Sequence, residues 1–332
     1  MNNVLNVYAA YCRDNNLRLQ SSSGGMFSII AEQVLNQCGI IYGVKMSTDC
    51  YRAEYTRIDN LSDLSSLRGS KYLQATLGNT FFQVKKDLDN GKYVLFTGTG
   101  CYINGLKNFL KKEYNNLLCM DIICHGTPSP ELWAKYAKYQ ESRFQSKLIY
   151  ASFRNKDRHD WNGFEMKEID QNNQEVYISR HIDPYFSLFV SNICLRPSCY
   201  NCVAKKIKKS DITVADFWGI DNVAPEMNDN LGISLVITRT EKGQNIFEDI
   251  SEKIIQKKVT YEEGVHDNKS EYQSYPKPRN REKFFRDFQI MSFECLSHKY
   301  LRIPIWKKIK NSIYGKCITL LRKILIAIMI GL

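Results

Sequence analysis

Hydrophobic residues recur along this chain at two spacings, one helical and one strand-like. Behind the turn signal Ser21-Ser22-Ser23-Gly24-Gly25, residues 26–36 carry apolar side chains at helical spacing and predict a helix. Residues 39–45 form a short apolar run read as a strand, and 77–88 read as a second helix. A buried strand over 92–96 breaks at Thr97-Gly98-Thr99-Gly100, with a helix over 102–112 behind it. A second buried strand, 117–123, ends at Cys124-His125-Gly126, and a proline-bounded helix follows from Pro130. Strands alternating with helices of about ten residues predict an α/β fold, a mainly parallel sheet flanked by helices.

Beyond residue 148 the rhythm changes. Stretches 149–153, 164–169 and 176–178 read as strands joined by polar turns, with a helix near 185–190. The cysteine-rich segment 194–202 comes next, then strands at 211–214 and 234–238, a helix over 241–253 and a polar, proline-containing loop over 267–281. This predicts an inserted or appended α+β part carrying the cysteine-rich segment. The expected division is an α/β half over 1–147, an α+β half over 148–290 and a basic, apolar helical tail over 291–332.

Charge changes this picture little once it is located. The net charge of +11 over 332 residues resembles a nucleic-acid signal, but eight Lys and Arg with no acidic residue lie after Cys295. The rest of the chain is left at about +3. No helix-turn-helix, RNP or zinc-finger pattern accompanies the basic tail, so nucleic acid is not an expected partner. The last nine residues are wholly apolar, well short of the roughly 20 needed to span a bilayer. With the basic stretch before them they suit either a membrane surface or packing on the body or a partner chain. The sequence opens without a Sec-type leader, which predicts a cytoplasmic protein, at most peripheral to the inner face of the membrane.

In a reducing compartment, eleven cysteines read as thiols or metal ligands rather than disulfides. The sharpest local signal is Cys194-Leu-Arg-Pro-Ser-Cys199-Tyr-Asn-Cys202. The Cys-x-x-Cys at its end suits a zinc site, a redox dithiol or an iron–sulfur ligand pair, because a tight turn aims both sulfurs to one side. Cys101 and Cys124 stand just past two predicted parallel strands, at the sheet edge where ligands bind. Four converging thiolates would complete a 4Fe-4S ligand set. Read singly, Cys101 and Cys124 are equally well buried hydrophobes. Cys12, Cys38, Cys50, Cys119, Cys295 and Cys317 have no partner at ligand spacing and are expected to be buried bystanders, while Cys194 stands in reserve as a substitute ligand.

Two glycine turns invite a phosphate. Ser23-Gly24-Gly25 opens a helix and can present backbone N–H groups to an anion, although it serves equally as a helix start with nothing bound. Thr97-Gly98-Thr99-Gly100 lacks the third glycine of a dinucleotide fingerprint, since position 103 is Ile. Gly69-Ser70-Lys71-Tyr72 offers a cation and a ring. Hydrolase and nucleotidase motifs are absent from the sequence.

Taken in order, six blocks resemble the coenzyme F420 hydrogenase/dehydrogenase beta-subunit family over residues 7–290. They are Ser21-Ser-Ser-Gly-Gly-Met-Phe-Ser28, Arg68-Gly-Ser-Lys-Tyr72, Phe96-Thr-Gly-Thr-Gly-Cys-Tyr-Ile-Asn-Gly-Leu106, Asp121-Ile-Ile-Cys-His-Gly-Thr-Pro-Ser-Pro130, the 194–202 segment and Ser210-Asp-Ile-Thr-Val-Ala-Asp-Phe-Trp-Gly219. The resemblance implies an iron–sulfur flavoprotein oxidoreductase. It would pass electrons between a 4Fe-4S cluster, FAD and a small-molecule redox substrate or deazaflavin-like carrier.

It implies Cys101, Cys124, Cys199 and Cys202 as cluster ligands. Ser23, Gly24, Gly25, Lys71 and Tyr72 become flavin-pocket positions. Thr97 and Gly98 are further cofactor-binding candidates, and His125 and Asp216 are the catalytic candidates as polar neighbours of the flavin, although a histidine after a strand serves as readily as a hydrogen-bonded structural residue. In bacteria such genes often accompany surface-polysaccharide synthesis. Many members begin with a ferredoxin-like module, whereas this N-terminus carries only Cys12; either the chain is truncated, or a separate ferredoxin or other iron–sulfur protein is the expected partner. Gly100 stands where proline is usual, and Ala215 where glycine is. The rival expectation is a non-catalytic scaffold in a membrane-associated polysaccharide-synthesis complex, its cysteines holding structural zinc.

Overall fold

The structure, a computed structural model, describes residues 4–301. The last thirty-one residues lie outside it, so the basic, apolar tail is untested apart from the helix Phe293–Tyr300 at its start. Strands β1 (Asn6–Cys12), β2 (Ile40–Met46), β3 (Ala53–Ile58), β4 (Ala75–Thr76), β5 (Val94–Thr99) and β6 (Leu117–Ile122) precede the change of rhythm at 148. After it come β7 (Leu148–Asn155), β8 (Glu165–Asp170), β9 (Glu175–Ser179), β10 (Ile212–Asp216), β11 (Ser234–Thr238) and β12 (Ile254–Val259). Nine strands form one sheet in the order β12-β1-β11-β10-β6-β5-β2-β3-β4, and β7-β8-β9 form a second.

The centre of the large sheet, β10-β6-β5-β2, is parallel. Antiparallel pairings extend it, through β11, β1 and β12 on one side and β3 on the other. The α/β fold is therefore a mixed sheet with a parallel core. Strands from both sides of the 147/148 position share it, so that position marks the start of an inserted small sheet rather than a break in the large one.

Strands β2, β5 and β6 open with continuous apolar runs because both faces are covered there. Ile41, Leu95 and Leu118 pack with Ile30, Ala31 and Val34 of the helix Met26–Asn36. Their neighbours Tyr42, Phe96 and Cys119 pack on the other face against Val84, Ile103 and Leu106 from the helices Thr80–Asp89 and Gly100–Leu110. The small sheet packs through Phe153 and Met166 into an aromatic cluster with Trp133, Tyr136, Tyr185 and Phe293.

Three expectations shift. Strands β1, β3 and β12 and the helix Arg281–Ile290 were not legible, whereas the helix Phe293–Tyr300 falls in the expected helical tail. β12 is an edge strand exposed over most of its length, and Arg281–Ile290 buries only Phe284 and Phe288. The loop expected to be exposed over 267–281 contains Glu271, which is fully buried and held by Arg239 at 2.5 Å and Lys208 at 2.8 Å. Cys38 and Cys295, expected to be buried, are exposed.

Candidate functional site

Parallel strands end at one edge, and that edge is where this molecule opens. A cavity of about 300 Å³ lies there, lined by Thr97–Thr99 of β5, Ile122 at the end of β6, Val214–Asp216 of β10, and residues of the 21–23, 25–28 and 67–73 segments. Its volume is at the lower end of the range for small-molecule sites, and such sites favour the carboxyl edge of an α/β sheet. The turn before the helix Met26–Asn36 forms one wall. Gly25 caps that helix at φ 85°, a left-handed conformation suited to glycine, and no side chain caps the helix. Gly25, Met26, Phe27 and Ser28 all line the cavity, which puts the start of the helix on its wall.

Most predicted pocket positions gather here: Ser23, Gly25, Lys71, Tyr72, Thr97, Gly98 and Asp216. Gly24 does not. Its N–H donates to Ser234 Oγ at 3.1 Å, and a Cβ there would stand 2.5 Å from the Ala10 carbonyl oxygen. Gly24 is thus a packing requirement, the point where the turn crosses close over β1 and β11, and its amide is not free for an anion. The Ser23 hydroxyl likewise donates to Ile233 O at 2.7 Å. Gly98 is glycine because the Tyr55 hydroxyl occupies the position of its absent side chain. That buried hydroxyl has no hydrogen-bond partner and also lines the cavity.

Lys71 reaches back to the carbonyls of Ser66, Leu67 and Arg68, at 3.4, 3.0 and 2.7 Å. Burial nevertheless pulls its ammonium down to about 7, and Lys156, behind the cavity, is pulled to the same value by burial beside Arg154 and Arg18. An unfolded lysine titrates near ~10.4, so the unfolded chain holds more protons between those limits, and stability from both groups rises with pH across that window. Lys71→Met is expected to flatten that rise. Urea midpoints taken at about pH 6.5 and about pH 9 should then differ less than in the natural sequence. An unchanged difference would show that Lys71 titrates as an ordinary exposed lysine.

Four of the cysteines lie near enough to influence one another's charge. Cys101 is exposed in the first turn of the helix Gly100–Leu110, Cys124 is half-buried just past β6, and Cys199 and Cys202 are half-buried on the turns over 197–205. Burial pushes the Cys124 thiol up to about 12, and the neighbouring charges of Cys101 and Cys199 push in the same direction. The Cys199 thiol is raised by burial and by Cys101 and Cys202. These influences link all four thiols. Opposing them, Lys205 favours the thiolate of Cys124 and donates to the Cys124 carbonyl at 2.7 Å.

Among the described residues, no three His, Cys, Asp or Glu side chains gather closely enough to hold one metal ion. A tetrahedral zinc site would bring its sulfurs to about 3.8 Å from one another. A cluster asks for wider spacing, because each thiolate takes a different iron. Cys194 is fully buried in the aromatic cluster with its thiol toward Leu188 O, pushed up to about 12 by burial. No charge influence connects it to the four.

The comparisons bear on this arrangement of cavity and thiols. The family described as the C terminus of the coenzyme F420 hydrogenase/dehydrogenase beta subunit matches residues 91–263, and the corresponding N-terminal family matches 7–80. The chain belongs to the coenzyme F420 hydrogenase/dehydrogenase beta-subunit family. Among solved structures, a chain of the F420-reducing NiFe hydrogenase complex from Methanosarcina barkeri aligns with a TM-score of 0.55 at 12% identity, covering 88% of this chain and 94% of that one. At that identity the likeness is one of fold. No curated protein matches the sequence.

Within this beta-subunit fold, the two polar neighbours expected of the reaction sit differently from one another. His125 is outside the cavity lining. Its Nε2 lies 2.7 Å from Asn192 Oδ1, its ring packs between Tyr275 and Phe189, and burial lowers its pKa. Asp216 does line the cavity, but one oxygen is paired with Arg154 Nη1 and the other accepts from Trp161 Nε1 at 3.1 Å. Neither is a free acid or base facing the cavity.

Sequence reasoning missed Thr99, Thr127 and Arg154, all of which line it. The Thr99 hydroxyl is 3.1 Å from Cys101 Sγ, and the Thr127 backbone favours the Cys199 thiolate. Cavity and thiols therefore share a wall one residue thick. Thr99 and Thr127 lie inside the recognised blocks and were available to notice. Arg154 lies on a strand with no motif around it. No helix among the described residues is long and apolar enough to cross a membrane.

Proposed function

We propose that this member of the hydrogenase/dehydrogenase beta-subunit family is an iron–sulfur flavoprotein oxidoreductase, with FAD in the carboxyl-edge cavity and a 4Fe-4S cluster on Cys101, Cys124, Cys199 and Cys202. The observation that supports it above all is the shared wall: Thr99 and Thr127 both line the cavity, the Thr99 hydroxyl lies 3.1 Å from Cys101 Sγ, and the Thr127 backbone favours the Cys199 thiolate. The cavity also has features a flavin nucleotide would use. The uncapped helix start at Gly25–Ser28 supplies backbone donors for a pyrophosphate. The orphaned Tyr55 hydroxyl supplies a donor for a polar ring atom.

A bound flavin would supply two-electron exchange with an organic partner and one-electron exchange with a cluster. The chain's part is to hold each group. Lys205 offsets negative charge on the Cys124 and Cys202 sulfurs. Thr99 and Thr127 keep the two sites within a residue of one another, which keeps an electron's path short. Cys101 is also exposed, giving a separate iron–sulfur protein a place to receive or deliver electrons. The organic partner is a small-molecule redox substrate or a deazaflavin-like carrier.

Anaerobically purified protein is expected to show flavin bands above a broad brown shoulder and to hold about four irons per chain. A colourless preparation carrying one zinc per chain would overturn the reading.

A further inference from the structure

The cavity has two walls of different origin. The nine-stranded sheet supplies the Ser21–Ser28 turn and Thr97–Thr99, and the inserted three-stranded sheet supplies Arg154 from β7. Arg154 is 8% exposed. Its Nη1 is paired with Asp216, yet Nε and Nη2, the two donors of its side-on edge, are buried with no hydrogen-bond partner. An unpaired buried guanidinium edge is costly, so its presence on a cavity wall calls for an acceptor from outside the chain.

Charge balance points the same way. Arg180, in the turn after β9, packs its guanidinium 4.9 Å from the Phe164 ring, and Arg154 packs on the same ring at 4.5 Å. Arg180 Nε is also buried without a partner, and Arg180 lies close enough to Arg154 to be disfavoured by its charge. Lys156 is disfavoured by Arg154 as well. Asp216 and the Tyr72 hydroxyl face the two arginines, and Asp229 adds its charge only on the Lys156 side. Arg18 nearby is already closed in a two-bond pair with Asp229, at 2.6 Å for each bond.

The geometry points to an oxyanion site: the Nε–Nη2 edge of Arg154, supported by Arg180, anchors a carboxylate or phosphate of the molecule that shares the cavity with the flavin. This rests on the flavin reading only for the identity of the other occupant. The side-on edge of an arginine presents two parallel N–H donors, which match two oxygens of a carboxylate or phosphate and match no single carbonyl as well. The flavin's own pyrophosphate has donors elsewhere in the lining, at the uncapped helix start. The substrate class is therefore an organic acid or a phosphate ester, its anion on the small-sheet wall and its reactive end toward the large sheet.

The test uses flavin-loaded protein titrated with inorganic phosphate and with malonate, followed by thermal melting and calorimetry, beside Arg154→Lys and Arg180→Gln. Both anions are expected to raise the melting temperature of the natural sequence. Arg154→Lys keeps the charge and loses the fork, so its anion affinity should fall about tenfold or more, while its FAD affinity stays within about threefold. Arg180→Gln should weaken the anions by several-fold. Equal protection of Arg154→Lys, or no protection of the natural sequence, overturns the site. A parallel loss of FAD affinity overturns it too, because Arg154 would then serve the flavin.

Should the natural sequence take no flavin, the flavin reading fails separately. The same anion titrations on the flavin-free protein then still decide Arg154. Should Arg154→Lys not fold, Arg180→Gln, which lies outside the Asp216 pair, carries the test by the same criterion.

Discussion

Replacing Cys199 with alanine is expected to strip the protein of its iron, from about four per chain to below one, and to remove the brown shoulder while leaving flavin bands in place. Cys199 is the best probe of the quartet because the charges of Cys101, Cys124 and Cys202 all couple to it. It sits on a half-buried turn rather than in the core, so its loss leaves the packing of both sheets intact. Cys194→Ala is the matching control. That thiol lies in the aromatic cluster and touches none of the four, so its replacement should cost roughly 1 kcal/mol of stability through lost packing and leave the iron content unchanged. The reverse pattern, with iron lost on replacing Cys194 and kept on replacing Cys199, would dissolve the proposed quartet.

Asp216→Ala is expected to destabilise the fold by roughly 3 kcal/mol, read as a shift of the urea midpoint at unchanged slope. The carboxylate balances Arg154 at a site where both side chains are nearly enclosed, and it also accepts from Trp161. Removing it leaves a buried guanidinium charge without its partner, which costs far more than the pair contributes when intact. The double variant Arg154→Met with Asp216→Leu should recover most of that loss, because an apolar pair needs no compensation. A lone proton donor would behave otherwise, with turnover falling while the urea midpoint stayed put. A loss below about 1 kcal/mol, or no recovery in the double variant, would remove the structural role assigned here.

Much of the architecture could be read before folding. Residues 94–96 and 117–120 are continuous apolar runs because both their faces are covered, and a run of that kind between helical patterns specifies a central strand. Pro130 and the helix Met26–Asn36 were equally plain, one from a fixed φ and the other from spacing. Strand β12 was not, because an edge strand with one buried end shows no alternation. Gly24 was legible as a glycine but not as a role. Its neighbours across the gap, Ala10 and Ser234, come from strands remote in sequence.

For the site, the sequence by itself determined the chemistry: which residues carry thiols, which turns lack side chains, and the order of the six blocks that marks the family. Those are properties of residue type and local spacing, and they survive without coordinates. Only the tertiary structure decided which of these face one another. It took Cys194 into the core, closed the Gly24 amide, turned His125 away from the cavity and gave Asp216 to Arg154. The reason is that burial and charge pairing depend on contacts between strands separated by tens to hundreds of residues, which no local pattern encodes.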